Sequence, residues 1–181
     1  LVYAAGQYGA TTDYDRSHAQ LLARTNGALE LTQPAHCRAL LAWLNSWKCR
    51  QFKLSDHPLA ARELATWYGE NQHLLPAPTQ ELLTCSDEAL ARIGQAYERL
   101  RQRIASHRSR AGQCIEVTFG PTGASKTLFA LRPRAAIPWD SPVRRGLDSA
   151  DSGRAYSAYL RHARSILRSA ERACRNYGIA L

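Results

Sequence analysis

Lys126 is the residue whose type and position most suggest chemistry. The chain contains 21 arginines but only three lysines, and Lys126 precedes Asp140 by 14 positions. A lysine amine can lose its proton and act as a nucleophile, whereas an arginine guanidinium stays protonated. Because arginine is the preferred cation elsewhere in the chain, the lysine at position 126 indicates that the segment 118–147 has a functional role.

Two glycines, Gly120 and Gly123, precede Lys126 in the run GPTGASKT. Because glycine has no Cβ, backbone N–H groups beside it can approach a phosphate, and the N-terminus of a following helix carries partial positive charge. Only two residues separate the glycines, so the run is not the P-loop motif G-x-x-x-x-G-K-[ST]. The pattern therefore predicts a backbone contact with phosphate without a P-loop.

The whole segment 118–147 resembles the helix-hairpin-helix DNA glycosylases. It reads G-x-x-G-x-x-K-T, then the apolar LFAL, then IPWD and VRR. In those enzymes a hairpin turn is followed by a helix that starts near a lysine, and then by a proline-containing loop that ends in an aspartate. The segment 118–147 has a similar order. The resemblance implies that Gly120 and Gly123 lie in the hairpin turn and contact DNA. It further implies that Lys126 is the Schiff-base lysine and that Asp140 acts at the sugar.

The chemistry implied by the resemblance is cleavage of an N-glycosidic bond, with or without lyase activity. The sugar gains oxocarbenium character, which the Asp140 carboxylate would stabilise, while the free amine of Lys126 would attack C1′ and form an imine. The target base has to leave the duplex stack, which requires an aromatic pocket wall. The residues assigned to this wall are Trp139, Tyr156 and Tyr159. The arginines assigned to the DNA phosphates are Arg132, Arg134, Arg144 and Arg145.

Lys126 and Asp140 also have simpler interpretations. Lys126 can be a solvated residue on a helix. Asp140 can cap a short helix over residues 141–146, because Pro142 would then stand just inside the first turn. Both interpretations stay open from the sequence.

Positive charge is concentrated in the second half of the chain. Residues 1–98 carry 8 Lys and Arg against 10 Asp and Glu, which gives −2, whereas residues 99–181 carry 16 against 5, which gives +11. Such asymmetry favours a polyanionic partner, nucleic acid first and an anionic membrane surface second, and the resemblance implies that the partner is duplex DNA. No run of about 18 apolar residues and no signal peptide are visible, so we expect no membrane span and a cytoplasmic location.

The five cysteines give no indication of a metal site. They are scattered, without a C-x-x-C pair, and the six histidines lack the H-x-x-x-H and H-E-x-x-H spacings. We therefore expect reduced thiols, no metal and no cofactor.

Helical periodicity dominates the rest of the chain, so the predicted fold class is all-α. The resemblance implies two helical lobes in one domain over 1–181, an N-terminal lobe at about 13–110 and a basic part with the hairpin-like motif at about 111–181. CIEVTF at 114–119 could be a strand but has no evident pairing partner. The predicted helices cover 15–26, a segment from residue 34, a segment from Asp56, its predicted cap, to Gly69, 87–108, 122–131, 141–146 and 154–177. The spacing in the last helix predicts that its apolar side points inward and that its other side carries a row of arginines. The inward residues are Tyr156, Tyr159, Leu160, Ala163, Ile166, Leu167 and Ala170, and the arginine row is Arg161, Arg164, Arg168, Arg172 and Arg175.

These observations together predict a DNA-binding protein of DNA glycosylase type, acting in base excision or in defence against foreign modified DNA. Two alternatives stay open, a non-catalytic nucleic-acid-binding module and a helical protein–protein adaptor. An enzyme requires Lys126 and Asp140 to converge on one concave site. A binding module requires exposed cations, and an adaptor requires an exposed apolar patch.

Overall fold

Seven α-helices and one two-stranded antiparallel sheet make up the described part of the chain. The computed structural model describes residues 14–177. The elements are α1 (Tyr14–Arg24), α2 (Pro34–Ser46), α3 (His57–Asn71), α4 (Asp87–Arg101), β1 (Ile104–Arg110), β2 (Gln113–Thr118), α5 (Gly120–Leu131), α6 (Ser141–Gly146) and α7 (Gly153–Asn176). The helical prediction is therefore confirmed, while the sheet is an addition to it.

Residues at the helix ends explain most of the boundaries. Ser86 and Ser152 accept hydrogen bonds from backbone N–H groups three residues later and so cap α4 and α7. After α1, Asn26 and Gly27 both have positive φ, of 54° and 81°, and the Gly27 N–H donates to the Leu22 carbonyl, which closes the end of the helix with Asn26 in the left-handed position. Pro34 stands at the start of α2, where a missing N–H is no loss.

Helix α5 lies at the centre of the core. Residues 123–128 are all buried, and the helix packs against α2 and α4. Its Phe129 lies beside Trp43 and Trp47 of the α2 region, with ring centroids 6.5 and 6.0 Å away. A helix that is buried on most sides fixes the position of everything that contacts it.

Helices α4 and α7 pack with their backbones in contact. The crossing point is a pair of glycines, Gly94 and Gly153. A Cβ on Gly94 would lie 2.4 Å from the Gly153 carbonyl oxygen, and a Cβ on Gly153 would lie 2.2 Å from the Gly94 oxygen. Glu98 completes the joint by accepting a 2.7 Å hydrogen bond from the Gly153 N–H. No larger residue fits at either glycine without moving a helix.

The prediction of one helix over residues 87–108 is wrong beyond Arg101. Residues 104–110 form β1, which pairs with β2 in the register His107 to Glu116. Strand β2 is the segment that had no evident partner in the sequence. The hairpin is closed at its base by the Phe119 N–H, which donates to the Arg103 carbonyl at 2.8 Å. The predicted lobe boundary near residue 110 falls in the turn of this hairpin.

Helix α7 is less buried than its periodicity predicts. Tyr156 and Leu160 point inward as predicted, but Ile166 and Leu167 are 54% and 39% exposed. The second half of α7 extends past the elements that would cover its apolar side. No helix of the described residues is long and apolar enough to cross a membrane.

The glycine pair gives a stability prediction. Gly94→Ala should lower the free energy of unfolding by about 1–3 kcal/mol, because the added methyl group collides with the backbone of α7. Gly69→Ala in α3 is the matched control, since no atom lies within 4 Å of its Cβ position. That change should raise stability by about 0.5–1 kcal/mol. Chemical denaturation measures both, and equal effects would contradict the close packing.

Candidate functional site

Lys126 lies inside the protein on the central helix α5. It is 6% exposed, and its Nζ donates a 3.0 Å hydrogen bond to the Trp47 carbonyl oxygen. The same nitrogen lies 4.9 Å from the centroid of the Trp47 ring. Because Trp47 ends α2, the ammonium satisfies a carbonyl at the negative end of that helix. The interpretation of Lys126 as a solvated residue is wrong.

Asp140 caps helix α6. Its Oδ1 accepts a hydrogen bond of 3.3 Å from the Val143 N–H, which confirms the simpler interpretation from the sequence. Burial raises the pKa of the Cys49 thiol, the charge of Lys126 opposes that rise, and the charge of Asp140 adds to it. Both charges thus act on the pKa of this thiol, which is 2% exposed.

The glycines before Lys126 do not form a turn between two helices. The prediction of a hairpin turn at Gly120 and Gly123 is wrong, because both lie in the first turn of α5, directly after strand β2. Gly123 instead leaves room for Gln51, since a Cβ there would lie 2.6 Å from Gln51 Nε2. That nitrogen donates a 2.7 Å hydrogen bond to the Phe119 carbonyl oxygen. Contact of these glycines with DNA stays a prediction.

The aromatic residues assigned to a base pocket form part of the core. Trp139 and Tyr156 are both fully buried, with ring centroids 5.5 Å apart. Tyr159 stacks on Trp139 at 5.8 Å and is only partly buried. A flipped base would reach Trp139 or Tyr156 only after the core had opened.

Of the four arginines assigned to phosphates, two are buried and bound within the protein. Arg132 donates to the Pro76 carbonyl at 2.5 Å, and Arg144 donates to the Trp139 carbonyl at 2.6 Å and pairs with Asp151. Arg134 is exposed and pairs with Glu81, while Arg145 is exposed. Only the last two have side chains at the surface. Phosphate binding by all four stays a prediction.

The arginine row of α7 is also largely engaged. Arg164 and Arg168 donate to the carbonyl oxygens of Cys85 and Leu83, and Arg164 pairs with Asp87. These contacts fasten α7 to the segment before α4. These arginines therefore hold α7 against the rest of the protein more than they form an exposed cationic surface.

Another group of exposed cations lies elsewhere, on two segments that are far apart in the sequence. The loop 47–53 follows α2 and lies against the hairpin of β1 and β2. Between them they carry five exposed basic residues, here called the basic surface: Lys48, Arg50, Lys53, Arg108 and Arg110. No ion pair among the described residues involves any of the five.

Hydrogen bonds fix the loop 47–53 against β1. Ser106 Oγ donates to the Gln51 carbonyl at 2.6 Å, and Arg108 donates to the Arg50 carbonyl at 3.2 Å. Lys53 Nζ donates to the His107 carbonyl. These contacts make the two segments one surface of defined geometry.

Asp56 holds the outer edge of β1. The sequence predicts that it caps α3, but its side chain makes no capping hydrogen bond there. Its Oδ2 accepts a 2.8 Å hydrogen bond from the His107 N–H, and this bond holds the pKa of the carboxyl below its usual value. The carboxylate therefore serves the hairpin instead of the helix.

Lys48 occupies a backbone conformation that normally selects glycine. Its φ is 60°, and the N–H groups of Lys48 and Cys49 donate to the carbonyls of Asn45 and Leu44. This is the Schellman arrangement, with lysine in the left-handed position just after the helix. A side chain there costs about 1 kcal/mol relative to glycine. Strained residues of this kind are typical of functional sites.

Comparison of the chain with models of known protein families, with curated proteins and with solved structures finds no significant match.

The strain at Lys48 can be measured directly. Lys48→Gly should raise the free energy of unfolding by about 1 kcal/mol, because glycine adopts positive φ without a steric penalty. Lys48→Ala removes the same charge but keeps a Cβ, so it should give no such gain. Urea denaturation of the three proteins separates the two effects. A gain in the alanine variant equal to that of glycine would show that charge repulsion, not backbone strain, is relieved.

Proposed function

We propose that this protein binds nucleic acid through the basic surface, as a non-catalytic module. The observation that carries the proposal is the set of five exposed cations, none of them in an ion pair within residues 14–177, on two segments fastened to each other. Lysine and arginine side chains gathered on one surface neutralise phosphates and release counterions, which is the main source of nucleic-acid affinity.

Glycosylase chemistry is the alternative, and the geometry favours it less. A Schiff-base lysine needs its amine at the substrate sugar, but the Lys126 amine is buried and donates to the Trp47 carbonyl. The Val143 N–H occupies only one oxygen of the Asp140 carboxylate, so the cap leaves the second oxygen available. Catalysis would therefore need the loop 47–53 to move so that the Lys126 amine becomes accessible.

Salt dependence tests the proposed function. The association constant for duplex DNA should fall with salt with a log–log slope of about −0.9 for each phosphate neutralised. Arg50→Gln should weaken binding and make the slope shallower by about one unit. Arg175→Gln is the matched control, since it removes the same charge from α7.

Lys48→Gly and Lys48→Ala should weaken binding equally, because both remove one cation.

Two results would contradict this proposal. Binding that is absent at low salt, or equally weakened by Arg50→Gln and Arg175→Gln, would exclude a defined basic surface. A covalent adduct with abasic DNA, trapped by borohydride and abolished by Lys126→Arg, would support the glycosylase alternative instead. That variant keeps the charge but has no amine nucleophile.

A second candidate function, self-association, is favoured by the exposed side of α7. Five residues of this helix and the residue that follows it are spaced in alternating steps of four and three, which is the spacing of a coiled-coil seam, and the first two of them also pack against the core. They are Tyr159, Ala163, Ile166, Ala170, Ala173 and Tyr177. The arginines of α7 lie on the other side of the helix, so two copies could pair without bringing like charges together. The helical adaptor alternative would then take a second copy as its partner.

Replacing one seam residue tests self-association. Ile166→Asp should abolish any concentration-dependent dimer, because it places a charge in the apolar seam. Ser165→Asp adds the same charge one position away, off the seam, and should leave the dimer intact. Sedimentation equilibrium over a range of protein concentrations measures both. A wild-type protein that stays monomeric throughout would contradict this candidate function.

A further inference from the structure

The hairpin projects from the body as a two-stranded ribbon. Residues 108–116 are exposed at every position, and seven residues of β1 span about 23 Å. The tip is a two-residue turn in which Ala111 and Gly112 have φ values of 51° and 77°. Positive φ at both positions is typical of the type I′ turn, whose twist matches that of the flanking strands. The ribbon is therefore a defined element and not an irregular loop.

The two faces of the ribbon differ in charge and chemistry. Cross-strand pairing places Arg108 opposite Ile115 and Arg110 opposite Gln113 on one face. The other face carries His107, Ser109, Cys114 and Glu116. Because side chains alternate between faces, the acidic Glu116 points away from the two arginines. The inner part of the arginine face bonds to the loop 47–53 through Ser106 and Arg108. An anionic partner therefore meets this face, here called the reading face, at its exposed outer part, which carries Arg110, Gln113 and Ile115.

The reading face has the side chains that read base edges. Arginine donates two hydrogen bonds to guanine O6 and N7, glutamine pairs with adenine N6 and N7, and an apolar group contacts the thymine methyl. Neither the Arg110 nor the Gln113 side chain is engaged by a hydrogen bond or ion pair with another described residue. Ile115 is 41% exposed beside them. All three are thus free to meet a ligand.

The width of the two-stranded ribbon matches the major groove of B-form DNA and not that of A-form RNA. A two-stranded ribbon fits the major groove of B-form DNA, which is about 12 Å wide. The major groove of A-form RNA is deep and narrow, and side chains do not reach the bases there. Arg50 and Lys53 lie beside β1 near the base of the ribbon, where the phosphate backbone would pass.

We propose that the hairpin enters the major groove of duplex DNA and that Arg110 and Gln113 recognise guanine and adenine, respectively, in a specific sequence. This inference rests on the proposed nucleic-acid-binding function and adds sequence recognition to it. Arg108, which donates to the Arg50 carbonyl, acts as a positioning residue that orients the ribbon on the loop 47–53.

Selection from a randomised duplex DNA library tests this inference. The wild-type protein should enrich a short motif that contains guanine and adenine. Arg110→Lys keeps the charge but loses the bidentate contact, so preference for the motif over a scrambled duplex should fall about tenfold or more. Binding to the scrambled duplex should stay unchanged. Arg175→Lys is the matched control and should keep the preference.

A change in the DNA gives a test that leaves the protein intact. Replacing the motif's guanine with 7-deazaguanine removes the N7 acceptor while every phosphate stays in place. This change should weaken binding of the wild-type protein and should have little effect on Arg110→Lys.

The outcomes distinguish this inference from the proposed function. Steeply salt-dependent binding without any enriched motif would overturn the inference and leave the proposed function standing. Enrichment from single-stranded or RNA libraries in preference to duplex DNA would also overturn it. Absence of binding to every library would overturn both.

Discussion

The arrangement of the protein depends on one buried ammonium group. Lys126 projects from the central helix α5 and donates to the carbonyl of Trp47, the residue that ends α2. An ammonium group without a partner in this position would carry the full penalty of desolvation, and so would the carbonyl. The contact therefore fixes where α2 ends relative to α5. It also sets where the loop 47–53 begins, and the basic surface starts from that loop.

From that point the loop and the hairpin determine each other's position. Phe52 packs edge-on against Phe119 at 4.9 Å, just beyond the end of β2, and Gln51 reaches the Phe119 carbonyl through the space left by Gly123. Polar bonds from β1 to the loop complete the joint. A ribbon of two strands is only marginally stable alone, so it needs this support from a packed neighbour. The exposed cations are thus held on a rigid base, which limits the conformational entropy lost on binding.

Sequence reasoning predicted the helices better than the site. Capping residues such as Ser86 act locally, so the start of α4 follows from the sequence. The end of α4 does not, because Ile104 continues the helical spacing although the chain there pairs with residues 113–118. The turn that connects the strands is Ala-Gly, not the familiar Asn-Gly, so the local evidence for a hairpin is weak. The basic surface could not be predicted either, because its two segments are more than 50 residues apart in the sequence and only the fold brings them together.

The distribution of the three lysines follows from the same geometry. Lys126 bonds to the first residue of the loop 47–53, and Lys48 and Lys53 belong to the loop itself. A compact ammonium fits between the carbonyl and the ring of Trp47, whereas a planar guanidinium would bring five N–H donors that need partners in a buried site. Arginine serves where several acceptors lie together. Arg132 donates to two carbonyls, and Arg144 donates to a carbonyl and a hydroxyl group and pairs with a carboxylate. Lysine at position 126 is therefore explained by packing beneath the loop, and a catalytic amine is not needed to account for it.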